Sequence, residues 1–136
     1  MDNFPIFLEI KNKPVLVIGG GDIALRKIKL LIKSKPNLKV VAKNFCEEIL
    51  DLKDRYSIDI IQKDFHPDDI EFPMIMIAAT NNKLLNKQIA QIGIKKKIPV
   101  NVVDQPSLCT FTMGSIVERG SLVVSISSSG KAPVLV

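Results

Sequence analysis

The stretch VLVIGGGDIALRKIKLLIK, Val15 to Lys33, constrains the chain more than any other. Val15 to Ile18 form a short apolar run that enters three glycines, and from Asp22 the period changes. Ala24, Ile28 and Leu31 recur at helical spacing, while Asp22, Arg26, Lys29 and Lys33 occupy the opposite face. Strand, glycine turn, amphipathic helix is the order. Gly19, Gly21 and Ala24 fit the pattern G-x-G-x-x-A. The first glycine permits a sharp turn, the second lets a pyrophosphate approach the backbone, and the small third residue lets helix pack on sheet. Unpaired N–H groups at the helix start then face the phosphates. The motif carries weight only where it follows a strand and opens a helix in an alternating chain.

That alternation continues. Pro36-Asn37 breaks the first helix, Leu38 to Ala42 reads as a strand, Glu47 to Arg55 as a helix, and Ile58 to Ile61 as a third strand. Met74 to Ala79 reads as a buried strand, Asn81 or Asn82 as the cap of a helix bearing Leu85, Ile89 and Ile92, and Pro99 to Val103 as a fifth strand. Parallel strands need long crossovers, so the pattern implies an α/β, Rossmann-like, doubly wound parallel sheet over residues 1–104. Residues 105–136 read differently. Thr110 to Val117 and Ser121 to Ser127, joined by Glu118-Arg119-Gly120, suit an antiparallel β-hairpin expected to extend the sheet edge. Pro133 is suited to the first turn of a helix that the chain leaves after one turn, so a C-terminal helical region is expected to be missing.

Composition narrows the function classes. A chain of 136 residues, 46% hydrophobic and 24% charged, is one domain long. Its longest apolar run, Met74 to Ala79, is far short of the roughly 20 residues that cross a bilayer. The start MDNFPIF lacks a basic region followed by an apolar stretch, so a cytoplasmic protein without a membrane partner is expected. The net charge is +5, without a basic tail, and one Tyr with no Trp offers little stacking surface, so nucleic acid is not an expected partner. A modest positive field suits a small polyanionic ligand equally well. Cys46 and Cys109 lack metal-ligand spacing and read as packed thiols, and no metal site is expected. His66, in Asp64-Phe65-His66-Pro67-Asp68-Asp69, reads as a solvated loop residue. Lys27, with Arg26 and Lys29, reads as part of a solvated helix face.

Two positions bear on the chemistry. The acidic residue that bonds a ribose at the end of the second strand is absent; the chain has Lys43-Asn44 there, which leaves NAD and NADP open. Asp104 follows the apolar strand and is expected at the carboxyl edge of the sheet. It reads either as a turn residue bonding local amides or as a proton acceptor. Ser127 to Gly130 suits a helix cap or a small anion nest, with Ser128 and Gly130 as substrate-binding candidates for carboxylates.

FPIFLEIKNKPVLVIGGGDIALRK at the start, AAT at Ala78 to Thr80, VNVVDQP at Val100 to Pro106 and the late SISSSGKAPVL together resemble the precorrin-2 dehydrogenase domain of siroheme synthases. The resemblance covers nearly the whole chain. It implies NAD-dependent oxidation of precorrin-2 to sirohydrochlorin in siroheme biosynthesis and, in some members, sirohydrochlorin ferrochelatase activity that takes ferrous iron as substrate. It implies cofactor contacts at Gly19, Gly21, Asp22, Ile23, Lys43, Asn44 and Thr80, a catalytic Asp104, and NAD rather than NADP. It also implies a tetrapyrrole cleft and homodimer completed by a C-terminal region in the full-length form. The rival from another class is a non-catalytic NAD(H)-sensing module, although such modules usually keep the acidic residue after the second strand. A ferrochelatase with a vestigial cofactor site is a narrower rival.

Overall fold

A computed structural model of the chain describes residues 1–128. Its centre is a parallel sheet of β1 (Pro14–Ile18), β2 (Asn37–Ala42), β3 (Asp59–Gln62), β4 (Ile75–Ala78) and β5 (Val100–Val102), in the order β3-β2-β1-β4-β5. Three helices, α1 (Asp22–Leu31), α2 (Glu47–Tyr56) and α3 (Lys83–Lys96), make crossovers. The order reverses between β1 and β4, the switch point of a doubly wound sheet.

Strand alternation explains the two cores. Val15 and Val17 of β1 pack with Ala24, Leu25 and Ile28 of α1 and Ile49 of α2. Leu16 and Ile18, one residue out of phase, pack with Met76, Ile89 and Val100 on the α3 side. Both faces of β1 are therefore dry, as a continuous apolar run in a parallel strand requires. Helix ends follow local chemistry. Ser57 and Lys97 adopt left-handed conformations that close α2 and α3, and Lys35 does the same after the short turn that follows α1.

Register levels the carboxyl ends of four strands. Ile18 pairs with Val41 on one side and Ala78 on the other, and Ala78 pairs with Val102. The residues that follow them, from Gly19, Lys43, Ala79 and Val103 onward, form one rim.

The C-terminal hairpin departs from expectation. β6 (Ser115–Arg119) and β7 (Leu122–Ile126) form their own two-stranded sheet and do not extend the parallel one. The strands are shorter than the apolar pattern suggested, and the turn is Gly120-Ser121 rather than Glu118-Arg119-Gly120. Arg119 pairs with Leu122, and Gly120 takes a positive φ of 56°. The reason lies at β5, whose free edge is already engaged. Thr110 donates its N–H to the Val100 carbonyl at 2.9 Å, and its Oγ1 accepts from Val100 N–H at 2.8 Å. Cys109 Sγ accepts from Val102 N–H at 3.1 Å and lies 3.2 Å from the Val102 carbonyl. Irregular chain satisfies the edge, and the hairpin has nothing to pair with there.

Candidate functional site

The glycine turn shows a division of labour. Gly19 has φ 137°, and a Cβ there would run into the Ala79 carbonyl; at Gly20 a Cβ would run into the Asn44 carbonyl. These two glycines let β1 cross close to the chain leaving β4 and β2. Gly20 also accepts a hydrogen bond from Cys46 N–H at 2.8 Å. Around Gly21 a Cβ would meet no atom within 4 Å. The space is open where the motif needs backbone to approach a diphosphate.

The helix start completes that cradle. Gly21 is the N-cap of α1 and supplies no side-chain cap, so the first-turn N–H groups are left for another acceptor. α3 contrasts with it, because Asn82 accepts from Leu85 N–H at 3.1 Å and closes that end. Asp22 and Ile23 are exposed in the first turn of α1, and Ala24 is fully buried against the sheet. The residues present fit a dinucleotide.

Across the rim, Lys43 and Asn44 are exposed after β2, and Lys43 Nζ lies 3.3 Å from Asp64 Oδ1. Thr80, after β4, is held by Asn86: its Oγ1 donates to Asn86 Oδ1 at 2.6 Å, and Asn86 Nδ2 donates to the Thr80 carbonyl at 3.0 Å. Asn86 is only 2% exposed, and it fixes the loop that faces Gly19. This residue escaped the sequence reading, although a polar residue inside the apolar stripe of a helix was its signal.

Asp104 stands at the end of β5 with its residue exposed and φ 57°. Its carboxylate accepts no hydrogen bond from the described residues, so it is not tied to local amides as a turn aspartate would be. The left-handed conformation is tolerated by Asp better than by most residues. Lys27 of α1 is half-buried, and burial pushes its ammonium below the ordinary lysine value, while Cys109 and Asp104 pull the other way. Cys109, expected to be merely packed, spends its thiol on the β5 backbone as described above.

Gly19, Gly21, Asp22, Ile23, Lys43, Asn44, Thr80 and Asp104 thus share one rim. Ser128 follows β7 on the other sheet, and Gly130, like Pro133, lies outside the described residues. His66 is a cap for the turn Pro67–Asp69: its Nδ1 accepts from Asp68 N–H at 3.1 Å, and its own N–H donates to Asp69 Oδ2 at 2.7 Å. Among the described residues no three His, Cys, Asp or Glu side chains gather as a metal site. Surface cavities of about 360 and 170 Å³ lie at the opposite, amino ends of the strands, the larger beside β2 and β3 and the smaller beside β1 and β2. The uncapped backbone donors of α1 lie at the rim and not at those hollows.

Comparison with known proteins agrees with this geometry. Residues 6–115 match a family described as "Putative NAD(P)-binding". The chain is 47% identical, over 99% of its length, to the siroheme synthase of Ruthia magnifica subsp. Calyptogena magnifica, of which it covers 29%. It is 43% identical, over 100% of its length, to the siroheme synthase of Zymomonas mobilis subsp. mobilis, again covering 29%. The chain therefore spans less than a third of the length of these curated relatives. The solved structure of SirC, precorrin-2 dehydrogenase, is similar with a TM-score of 0.85 and 28% identity, over 98% of this chain and 65% of that one. Pen from Bacillus thuringiensis, at 21% identity and a TM-score of 0.56 over 68% of this chain and 38% of that one, shares the fold. Matched over most of its length by that family's model, and similar throughout to siroheme synthases, the chain belongs to the NAD(P)-binding family.

Proposed function

We propose that the chain is the dinucleotide-binding part of an NAD-dependent precorrin-2 dehydrogenase, which oxidises precorrin-2 to sirohydrochlorin in siroheme synthesis. One observation carries the reading: the open space at Gly21, the uncapped start of α1 and the unbonded carboxylate of Asp104 all lie on one rim of the sheet. The similarity to siroheme synthases and to SirC supplies the substrate class.

Bound NAD supplies the hydride acceptor. Gly21 and the first-turn amides of α1 hold its diphosphate, and Gly19 and Gly20 keep the turn tight enough to do so. The pairing of Lys43 with Asp64 sets a carboxylate beside the lysine, which disfavours a 2′-phosphate and supports NAD over NADP. As the substrate loses two hydrogens, the hydride leaves with its electron pair and a proton goes to the Asp104 carboxylate. If ferrous iron is then inserted as a substrate, the same carboxylate accepts pyrrole N–H protons, and the macrocycle nitrogens hold the metal.

Residues 1–104 serve the cofactor in this reading, and 105–136 lead toward substrate and a partner copy, with Ser128 and Gly130 as carboxylate contacts. A homodimer of the full-length form covers the apolar hairpin, whose Ile116, Leu122, Val124 and Ile126 are each more than two-fifths exposed. No helix among the described residues is long and apolar enough to cross a membrane, and we place the reaction in the cytoplasm.

The test is anaerobic incubation of the protein with precorrin-2 and NAD. NADH formation is expected, and Asp104→Asn is expected to slow it by about a hundredfold or more while leaving NAD affinity unchanged. Tight NAD binding with no turnover by the full-length form would favour the sensing module.

A further inference from the structure

The ends of β1 and β4 offer opposite chemistry on the rim. After β1 the first-turn N–H groups of α1 have no side-chain cap. After β4 every polar hydrogen of Thr80 is spent inside the protein. Its N–H donates to Asn86 Oδ1 at 3.3 Å. Its hydroxyl has two acceptors for one proton, Asn86 Oδ1 at 2.6 Å and the Asn82 carbonyl at 3.1 Å, and the asparagine side chain is the nearer. The same Oγ1 accepts from Asn82 N–H at 3.2 Å. A hydroxyl oxygen has two lone pairs, so one is left, and the residue is partly exposed. Thr80 can accept a further hydrogen bond but has none to give.

Asn86 sets this polarity and is not free to reverse it. Its Nδ2 donates to the Thr80 carbonyl at 3.0 Å while its Oδ1 takes the Thr80 N–H, so a flipped amide would set N–H against N–H and oxygen against oxygen. The side chain is buried, and water does not compete for either bond. Thr80 in turn lies against the glycine turn: a Cβ on Gly19 would stand 3.2 Å from Thr80 N. In a dinucleotide the groups bonded to the diphosphate are riboses on both sides, and the bases lie one sugar farther away. The neighbour of a diphosphate held at Gly21 is therefore a ribose.

We propose that Asn86 is a positioning residue that acts through Thr80: by taking the hydroxyl proton it makes the Thr80 oxygen a pure acceptor, which selects a ribose hydroxyl of the dinucleotide over a phosphate. A ribose hydroxyl donates to that oxygen. A phosphate diester brings only acceptors, so it finds no partner at Thr80 and is drawn to the open N–H groups of α1. The two halves of the rim thus fix which part of the ligand lies where. The inference rests on the reading of Thr80 as a cofactor contact given above.

Calorimetry on the full chain tests it, with NAD and with analogues in which each ribose hydroxyl in turn is replaced by hydrogen or by fluorine, which cannot donate. One hydroxyl is expected whose loss weakens binding roughly tenfold, with the fluoro analogue as weak as the deoxy one. That ratio is expected to vanish in Thr80→Val and to persist in Thr80→Ser. In Asn86→Ala the Thr80 hydroxyl is free to turn and donate, so the ratio between NAD and the fluoro analogue is expected to shrink. An Asn86 that only braces the fold would weaken every ligand alike and leave the ratio unchanged, which overturns the proposal. A fluoro analogue that binds the parent chain as well as NAD also overturns it, because Thr80 would then be a donor; this arm needs no Asn86 variant to fold. NAD binding indifferent to Thr80→Val overturns the inference alone. No NAD binding by the parent chain fails the reading of the rim as a dinucleotide site, a separate result.

Discussion

The parallel sheet and the β6–β7 hairpin are built from similar apolar residues and end in opposite states. Val15, Val17, Met76 and Ile77 are at most 1% exposed, whereas Leu122 is 63% and Ile126 47% exposed. Strand propensity is alike in both. The difference is cover: three helices close the two faces of the sheet, and nothing among the described residues closes the hairpin. A two-stranded ribbon is marginal in water by itself, and the described residues leave the apolar side chains of β6–β7 open. In the proposed function the sheet carries the cofactor rim and the hairpin surface meets a partner copy.

The largest way to break that comparison is at the glycine turn. Gly19→Ala forces a Cβ into the Ala79 carbonyl at a φ that alanine rarely adopts, and a loss of about 3 kcal/mol or more is expected in urea unfolding. Next come paired truncations. Ile28→Ala, in the closed core, is expected to cost about 3 kcal/mol, and Leu122→Ala, on the open hairpin, less than about 1 kcal/mol. Comparable losses would mean that the hairpin is covered in solution. Gly21→Ala sharpens the contrast within the turn itself. Its backbone suits alanine and its surroundings are open, so stability should hold while NAD affinity, followed by calorimetry, falls about tenfold.

The smallest effect is electrostatic. Burial pushes the Asp69 carboxyl up, but the Lys63 ammonium, the His66 N–H and the charge of Lys39 together hold it below the ordinary value of 3.8. A folded-state value below the unfolded one stabilises the protein above the unfolded pKa, and that contribution is lost as pH falls through the lowered folded value. The Lys63 side chain is 39% exposed, so solvent screening limits the pair to about 1 kcal/mol or less. Urea midpoints of Asp69→Asn and the parent should differ at neutral pH and converge in acid.

The strand and helix order was legible because period-two and period-3.6 patterns depend only on which residues are apolar. Val15 to Ile18 and Ala24, Ile28 and Leu31 announced a strand and a helix wherever the chain placed them. The glycine motif was legible for a similar reason, since Gly19 and Ala24 are local demands of one turn. The rim was partly legible: parallel strands put Lys43, Thr80 and Asp104 at carboxyl ends, but the level register that aligns them belongs to pairing between distant segments.

Lys27 and Asn86 were hidden by their neighbours in sequence. A lysine among lysines looks solvated, and only the packing of α1 beside the chain after β5 makes Lys27 half-buried. Thr110 looked like the beginning of a strand, and Cys109 like a packed thiol. Whether they joined the hairpin or closed the edge of β5 depended on which main-chain donors and acceptors were still unpaired, an accounting that exists only in the assembled sheet.

The amino-acid order by itself determined the alternation, the turn and the class of ligand that turn can receive, because these follow from steric and apolar properties of near neighbours. The tertiary structure alone decided which hydroxyl and thiol close the sheet, which asparagine holds the loop after β4, and which apolar strands stay uncovered among the described residues. Those are contests between segments far apart in the chain, settled by burial and by hydrogen-bond satisfaction.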